Sequence, residues 1–156
     1  MIPVRRKLLK SLGAALPLLM AAGGGLLRAG QALAATWNKS GFESKAVADA
    51  MKSIGATGAQ PSKDIVLTAP DIAENGAQVP VTIASRILNT QSISIVVDKN
   101  PFPLNSTYDF ANGAESYVST KLKMGQTSNV VAVVKADGKF YTATKEVKVT
   151  IGGCGG

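Results

Sequence analysis

Apolar residues occupy every second position along much of the chain from residue 63 onward. Val79, Val81 and Ile83, for example, are each separated by one intervening residue. A period of two is that of a β-strand with one buried face. A short apolar run at 65–68 and further alternating stretches follow the same pattern, and these stretches are 93–98, 118–124, 129–136, 139–145 and 146–151. We therefore predict a mainly β fold, an immunoglobulin-like β-sandwich of about seven strands over about residues 63–151.

Turn signals separate these stretches. Asp137–Gly138 joins two of them directly, and such a two-residue connection is typical of a tight hairpin. Glu74–Asn75–Gly76 predicts another turn, in which Asn-Gly tolerates positive φ. The segment Asn100–Pro101–Phe102–Pro103 cannot continue a strand ladder because neither proline has an N–H to donate. We expect it to be a crossover or to lie at a sheet edge.

A different period precedes the strands and predicts one N-terminal amphipathic α-helix over about 41–54. Ser40 and Glu43 have the spacing of a capping box, and the helix is expected to end at Gly55. One helical face would carry Phe42, Ala46, Val47, Ala50, Met51 and Ile54. We expect this apolar stripe to cover an open face or end of the sheet or to dock a neighbour, and Trp37 to pack at the surface.

Residues 1–34 have the order of a signal peptide. Arg5 and Arg6 open a basic segment, an apolar stretch follows, and Ala34–Ala35 is the predicted cleavage position. The paired arginines resemble the twin-arginine consensus, which implies export of the folded protein to the periplasm. The alternative is a retained membrane anchor at 8–27, which Gly13, Pro17 and the run of glycines at 23–25 disfavour.

The net charge changes when the leader is removed. The whole chain carries +7, from 17 basic and 10 acidic residues, which by itself favours a polyanionic partner. Five of the basic residues and none of the acidic ones lie in 1–34, so the mature domain at 35–151 and its tail carry only +2. We therefore expect no nucleic-acid partner and no membrane association after cleavage.

The chain has no histidine and one cysteine, Cys154. This composition excludes Ser-His-Asp and Cys-His catalytic sites, CxxC redox pairs and histidine- or cysteine-based metal sites, so we expect no metal and no cofactor. Cys154 lies among four glycines, Gly152, Gly153, Gly155 and Gly156. Glycine adds no side chain to bury and loses most entropy on ordering, so 152–156 predicts a thin, flexible arm. Three residues beyond Ile151 carry the thiol roughly 10 Å from the domain, as suits a covalent carrier.

Other interpretations of the thiol remain open at this point. The glycine-rich tail could be incidental, or Cys154 could tether an exported immunoglobulin-like binding module to a partner through a disulfide. A thiol enzyme is the least favoured interpretation, because the pentapeptide holds no histidine or cation that would activate the sulfur.

Three segments together resemble a known family. They are VKVTIGGCGG at 147–156, IAENGAQVPV at 72–81 and NPFP at 100–103. With the leader and the order of helix and strands, they resemble the SoxY family, the sulfur carriers of the periplasmic thiosulfate-oxidising Sox system, over essentially the whole chain.

The resemblance implies a function that composition and spacing do not show. Cys154 would be the covalent attachment site and the four glycines its arm, in a carrier that is not itself an enzyme. SoxZ would be the heterodimer partner. SoxAX, a c-type cytochrome, would couple thiosulfate to the cysteine as a cysteine S-thiosulfonate, and SoxB, a dimanganese hydrolase, would release sulfate.

We expect N-terminal sequencing of the exported protein to begin near Ala35, because the small residues of the cleavage site follow the apolar stretch directly. A secreted chain that still begins with Met1 would contradict cleavage and favour the membrane anchor.

Overall fold

A computed structural model describes residues 37–111 and 113–150. The predicted leader with Arg5 and Arg6, the cleavage position Ala34–Ala35, and the tail at 151–156 lie outside the described residues. Neither helix in the described part of the chain is long and apolar enough to span a membrane.

The described chain contains two short helices followed by nine strands. The helices are α1 (Lys39–Phe42) and α2 (Val47–Ser53). The strands are β1 (Gln60–Pro61), β2 (Ile65–Thr68), β3 (Ile72–Ala73), β4 (Val79–Ser85), β5 (Thr90–Val97), β6 (Leu104–Asp109), β7 (Tyr117–Leu122), β8 (Ser128–Ala136) and β9 (Lys139–Val149).

The strands form two sheets, which confirms the predicted β-sandwich. The described residues hold nine strands where about seven were predicted, because β1, β3 and β6 were not predicted. The larger sheet has the order β1-β9-β8-β5-β6, with β3 also pairing with β9, and the smaller has the order β2-β4-β7. All pairings are antiparallel except those of β1 and β3, which run parallel to β9. The segments 139–145 and 146–151 were predicted as separate strands, and this is wrong: β8 pairs without interruption from Ala136↔Lys139 to Ser128↔Val147, so β9 is one strand.

The core lies between the sheets and is built from alternate strand positions. Ile93, Ile95 and Val97 of β5 are buried in it, and Ile83 and Leu122 come from the smaller sheet. The other members are mostly valine and alanine side chains of β3, β4, β7, β8 and β9, with Ile65 from β2 and with Ala69 and Met124 from loops. Since a strand places successive side chains on opposite faces, the period of two in the sequence corresponds to this interface.

The helices form a third layer on the outer face of the larger sheet. Ala50 and Ala56 pack with Val96, Leu104 and Val133, and the half-buried Phe42, Val47, Met51 and Ile54 surround them. This confirms that the apolar stripe covers a face of the sheet, except for Ala46, which was predicted to belong to the stripe and is exposed. Val96, which points away from the sandwich core, is therefore buried as well.

The predicted single helix over 41–54 is wrong, because the backbone of Ala46 is extended and separates α1 from α2. The capping-box prediction is also wrong. The side chain of Asn38, not that of Ser40, caps α1 by accepting a hydrogen bond from the Gly41 N–H at 3.0 Å. A Cβ at Gly41 would overlap Ser53 Oγ and the Asn38 side chain, so a larger residue there would have to displace the side chain that caps α1.

Two other local predictions are settled by the connections. Asp137 (φ 48°) and Gly138 (φ 72°) both have positive φ, as a tight β8–β9 hairpin requires. The Asn100–Pro103 segment joins β5 to its neighbour β6 within one sheet, so it is not a crossover, and β6 is the edge strand. Trp37 is 68% exposed and stacks on Phe42 with 4.5 Å between ring centroids, as expected of a surface packing residue.

We expect Val96→Ala to reduce the free energy of unfolding by about 2 to 3 kcal/mol, because it removes two buried methyl groups and leaves a cavity between sheet and helices. Val66→Ala, the same change at an exposed position of β2, is the control and should cost less than about 1 kcal/mol. Equal losses in urea unfolding would mean that the helical layer is not packed as described.

Candidate functional site

The described chain ends at the root of the predicted carrier arm. Cys154 and the glycines Gly152, Gly153, Gly155 and Gly156 lie outside the described residues, so their geometry is not part of the site described below. β9 ends at Val149, and Thr150 is the last residue described. The structure thus fixes the position from which the arm would leave the domain.

Strand order places three loops beside this root. The C-terminal half of β9 pairs with the start of β8 at Ser128↔Val147, and the start of β8 in turn faces the end of β5 at Val97↔Val130. The end of β7 meets the start of β4 at Val79↔Leu122. The connections 74–78, 98–103 and 123–127 therefore lie at the same end of the sandwich as the root, and we call these three loops the arm-side loops.

Three successive backbone N–H groups at the end of β9 are bound. Lys148 donates to the Asp71 carbonyl at 2.9 Å and Thr150 donates to the Ala73 carbonyl at 3.2 Å, both on the side of β3. Val149 donates to Thr127 Oγ1 at 3.0 Å on the opposite edge. The strand is thus held on both edges up to the last described residue.

Gly76 joins the arm-side loop at 74–78 to the arm-side loop at 123–127. Its carbonyl accepts a hydrogen bond from the Met124 N–H at 2.7 Å. A Cβ at this position would lie 2.3 Å from the Met124 carbonyl oxygen and 2.8 Å from a methyl group of Val149. Neither Asn75 nor Gly76 has positive φ, so the predicted reason for this Asn-Gly pair is wrong. The glycine is required by close approach instead.

Side chains also connect the second and third arm-side loops. The Asn100 amide donates to the Lys123 carbonyl at 2.8 Å, and the Gln126 amide donates to the Lys99 carbonyl at 3.3 Å. Such bonds between side chain and backbone hold irregular segments that have no ladder of their own. The loops around the root therefore form one connected rim.

The rim carries charges of both signs. Lys145 forms an ion pair with Asp71 at 3.0 Å, beside β3, and Lys121 donates to the Gln78 side chain at 3.1 Å. The Asp71 side chain is 89% exposed, so the ion pair contributes little to stability. Within the arm-side loops themselves, Glu74 and Asp98 balance the formal charges of Lys99 and Lys123.

Within residues 37–111 and 113–150, no group of three or more His, Cys, Asp or Glu residues could hold a metal ion. A surface cavity is lined by 55, 57–60 and 138–141, beside the β8–β9 hairpin. It lies at the opposite end of β9 from the root, so it does not belong to this site.

The sequence did not reveal how the root is held. A single threonine in a turn and a two-residue strand at 72–73 have no distinctive pattern, so Thr127 and β3 were missed. The Asn-Gly turn did indicate the position of Gly76, although for another physical reason.

Comparison with known proteins covers the sequence on both sides of the root. The family described as "Sulfur oxidation protein SoxY" matches residues 50–154, a range that reaches Cys154. A solved structure of the sulfur carrier protein SoxY from Chlorobium limicola f thiosulfatophilum is 39% identical to this chain, with a TM-score of 0.62, and the alignment covers 69% of this chain and 95% of that one.

Other matches are more distant. Two solved structures of superoxide reductase (neelaredoxin) variants from Ignicoccus hospitalis are 18% and 17% identical, each with a TM-score of 0.50. They cover 64% and 61% of this chain and 87% and 85% of their own, and at this identity the likeness concerns the fold alone. No curated protein matches. The match over residues 50–154 and the 39% identity to a solved SoxY show that this chain belongs to the SoxY family of sulfur oxidation proteins.

Proposed function

We propose that this protein carries the intermediates of thiosulfate oxidation as covalent adducts of Cys154. Membership of the SoxY family supports a sulfur-carrier role. The assignment of Cys154 as the attachment atom is supported by its position. It is the only cysteine of the chain and lies four residues beyond Thr150, and the end of β9 just before Thr150 is hydrogen-bonded on both edges. A fixed root and a short glycine-rich segment suit a group that must enter the active sites of other proteins.

The loading step is an oxidation. The Cys154 thiol and thiosulfate form a sulfur–sulfur bond: R–SH + S₂O₃²⁻ → R–S–S–SO₃⁻ + H⁺ + 2e⁻. The two electrons need an acceptor, and a c-type cytochrome of the SoxAX kind would take them. The product is the cysteine S-thiosulfonate.

Release of sulfate is a hydrolysis: R–S–S–SO₃⁻ + H₂O → R–S–S⁻ + SO₄²⁻ + 2H⁺. A hydrolase of the SoxB kind would catalyse this step and leave one sulfane sulfur on the carrier. The carrier contributes the attachment atom and the arm, and the enzymes contribute acid, base and metal chemistry. This division agrees with the absence of histidine from the chain.

We further propose that SoxZ is the stable partner and that the protein works in the periplasm after export by the twin-arginine route. The paired Arg5 and Arg6 and the small residues before Ala35 support export. One cysteine in an oxidising compartment, with no second one to pair with inside the chain, agrees with a thiol reserved for substrate.

We expect Cys154→Ser to abolish loading, because a hydroxyl does not form the sulfur–sulfur bond. The fold should be unchanged, since residue 154 lies beyond the last described strand. Intact mass after incubation with thiosulfate and the cytochrome partner measures the adduct, and circular dichroism checks the fold.

Wild-type protein without thiosulfate is the control for this experiment. A thiosulfate adduct on the serine variant would sink the assignment of Cys154. A wild-type chain that is joined to another protein by a disulfide, and never gains the adduct, would favour the tethered binding module instead.

We also expect two molecules to join through Cys154 in the absence of reductant, because an accessible thiol in oxidising conditions forms disulfides. Non-reducing electrophoresis should show a dimer band that dithiothreitol removes and that Cys154→Ser lacks. If mild oxidation gives no such band in the wild type, the thiol is shielded.

A further inference from the structure

At the end of β9 a side chain replaces a neighbouring strand. β8 begins at Ser128, whose partner in the ladder is Val147, so no residue of β8 remains to pair with the next two positions. The Val149 N–H nevertheless has an acceptor on that edge, Thr127 Oγ1 at 3.0 Å. The Thr127 hydroxyl, one residue before the start of β8, thereby continues the hydrogen bonding along this edge of β9.

The loop around Thr127 is itself held in place. Ser128 Oγ donates to the Gln126 carbonyl at 2.8 Å, directly beside Thr127, and the Gln126 amide reaches the Lys99 carbonyl at 3.3 Å. Met124, earlier in the same loop, is fully buried and bonded to Gly76. Thr127 Oγ1 is therefore a half-buried acceptor at a defined place.

The opposite edge of the root is weaker. There β3 supplies the Asp71 and Ala73 carbonyls, but the strand is only Ile72–Ala73. A two-residue strand has little independent stability. Without the Thr127 hydroxyl, the backbone hydrogen bonds of residues 148–150 would all go to this short strand, and the Val149 N–H would lack an acceptor. Only the packing of the half-buried Val149 side chain against the core would remain on the other side.

We propose that Thr127 is a positioning residue for the carrier reaction: its hydroxyl fixes Val149 and so sets where the arm begins and how far Cys154 reaches. This inference rests on the proposed function. With the root fixed, four residues from 151 to 154 span roughly 13 Å, at about 3.3 Å each. If 148–150 detach, the arm grows to seven residues and its tip searches a larger volume.

The size of the effect follows from chain statistics. Once a tether is longer than the span it bridges, the effective concentration of its tip falls as the −3/2 power of its length. Complete detachment of 148–150, which lengthens the arm from four to seven residues, therefore lowers the effective concentration roughly twofold. The loss should appear in kcat of enzyme-dependent loading, because the surface on which the enzyme docks is unchanged. KM should stay the same.

The test compares Thr127→Val, which keeps the shape but loses the hydroxyl, with Thr127→Ser, which keeps the hydroxyl. Amide hydrogen exchange of Val149 reports the root, and reaction of Cys154 with a small aromatic disulfide reports intrinsic thiol reactivity. Loading by thiosulfate with a c-type cytochrome partner reports function. All measurements are made where every variant is folded by circular dichroism.

We expect Thr127→Val to speed exchange at Val149 by about twofold to tenfold, since one hydrogen bond of the root is lost. Its loading kcat should fall by up to roughly twofold, while KM and the reaction with the small disulfide stay unchanged. Thr127→Ser should behave as the wild type. Three glycines inserted after Gly152 lengthen the arm in every molecule and should lower kcat by the full, roughly twofold, factor without changing exchange at Val149.

Unchanged exchange at Val149 in Thr127→Val, or unchanged kcat in either that variant or the insertion variant, would overturn the inference. Both results are distinct from failure of the proposed function. If the wild type itself is never loaded, the carrier function is wrong whatever the exchange rates are.

Discussion

Hydrogen bonding on both edges of β9 is the constraint on which this structure depends. β8 pairs with it from Lys139 to Val147, β1 pairs with it near Tyr141, and β3 takes over at Lys148 and Val149. A strand bound on both edges cannot slip in register without breaking bonds on each of them. The last regular strand before Cys154 is therefore also one of the most constrained.

The remaining layers preserve this arrangement. The core residues of β5 and β8 are buried between the sheets, and α1 and α2 cover part of the opposite face of the larger sheet, around Val96 and Val133. β9 is paired with β8 of this layer and contributes Val147 to the core. The packed part of the chain that the structure describes ends at Thr150, four residues before Cys154.

Most of the fold could be read from the sequence, because its period reflects packing. The alternation at 79–84 and 129–136 identified strands with one face in the core, and Asp137–Gly138 identified the hairpin. The spacing of apolar residues could not show that Ala46 leaves the helical conformation, because the apolar residues before and after a single extended residue still follow a helical spacing in the sequence. Likewise β1 and β3, with two residues each, are too short for any periodicity.

The candidate site, like the fold, could be predicted from the sequence only in part. Cys154 and its four neighbouring glycines stand out in the sequence because glycine has no side chain to bury in a core. Thr127 and the close approach of Gly76 to Met124 and Val149 depend on which loops the topology brings together, and no local pattern encodes that.

Peptide mass spectrometry of the protein purified from cells that are oxidising thiosulfate tests the central claim most directly. A covalent carrier predicts that the peptide containing Cys154 is heavier by a thiosulfate or sulfane-sulfur adduct, which reductant removes, while all other peptides are unmodified. An unmodified Cys154 in such cells, or a Cys154 held in a permanent disulfide with another protein, would contradict it.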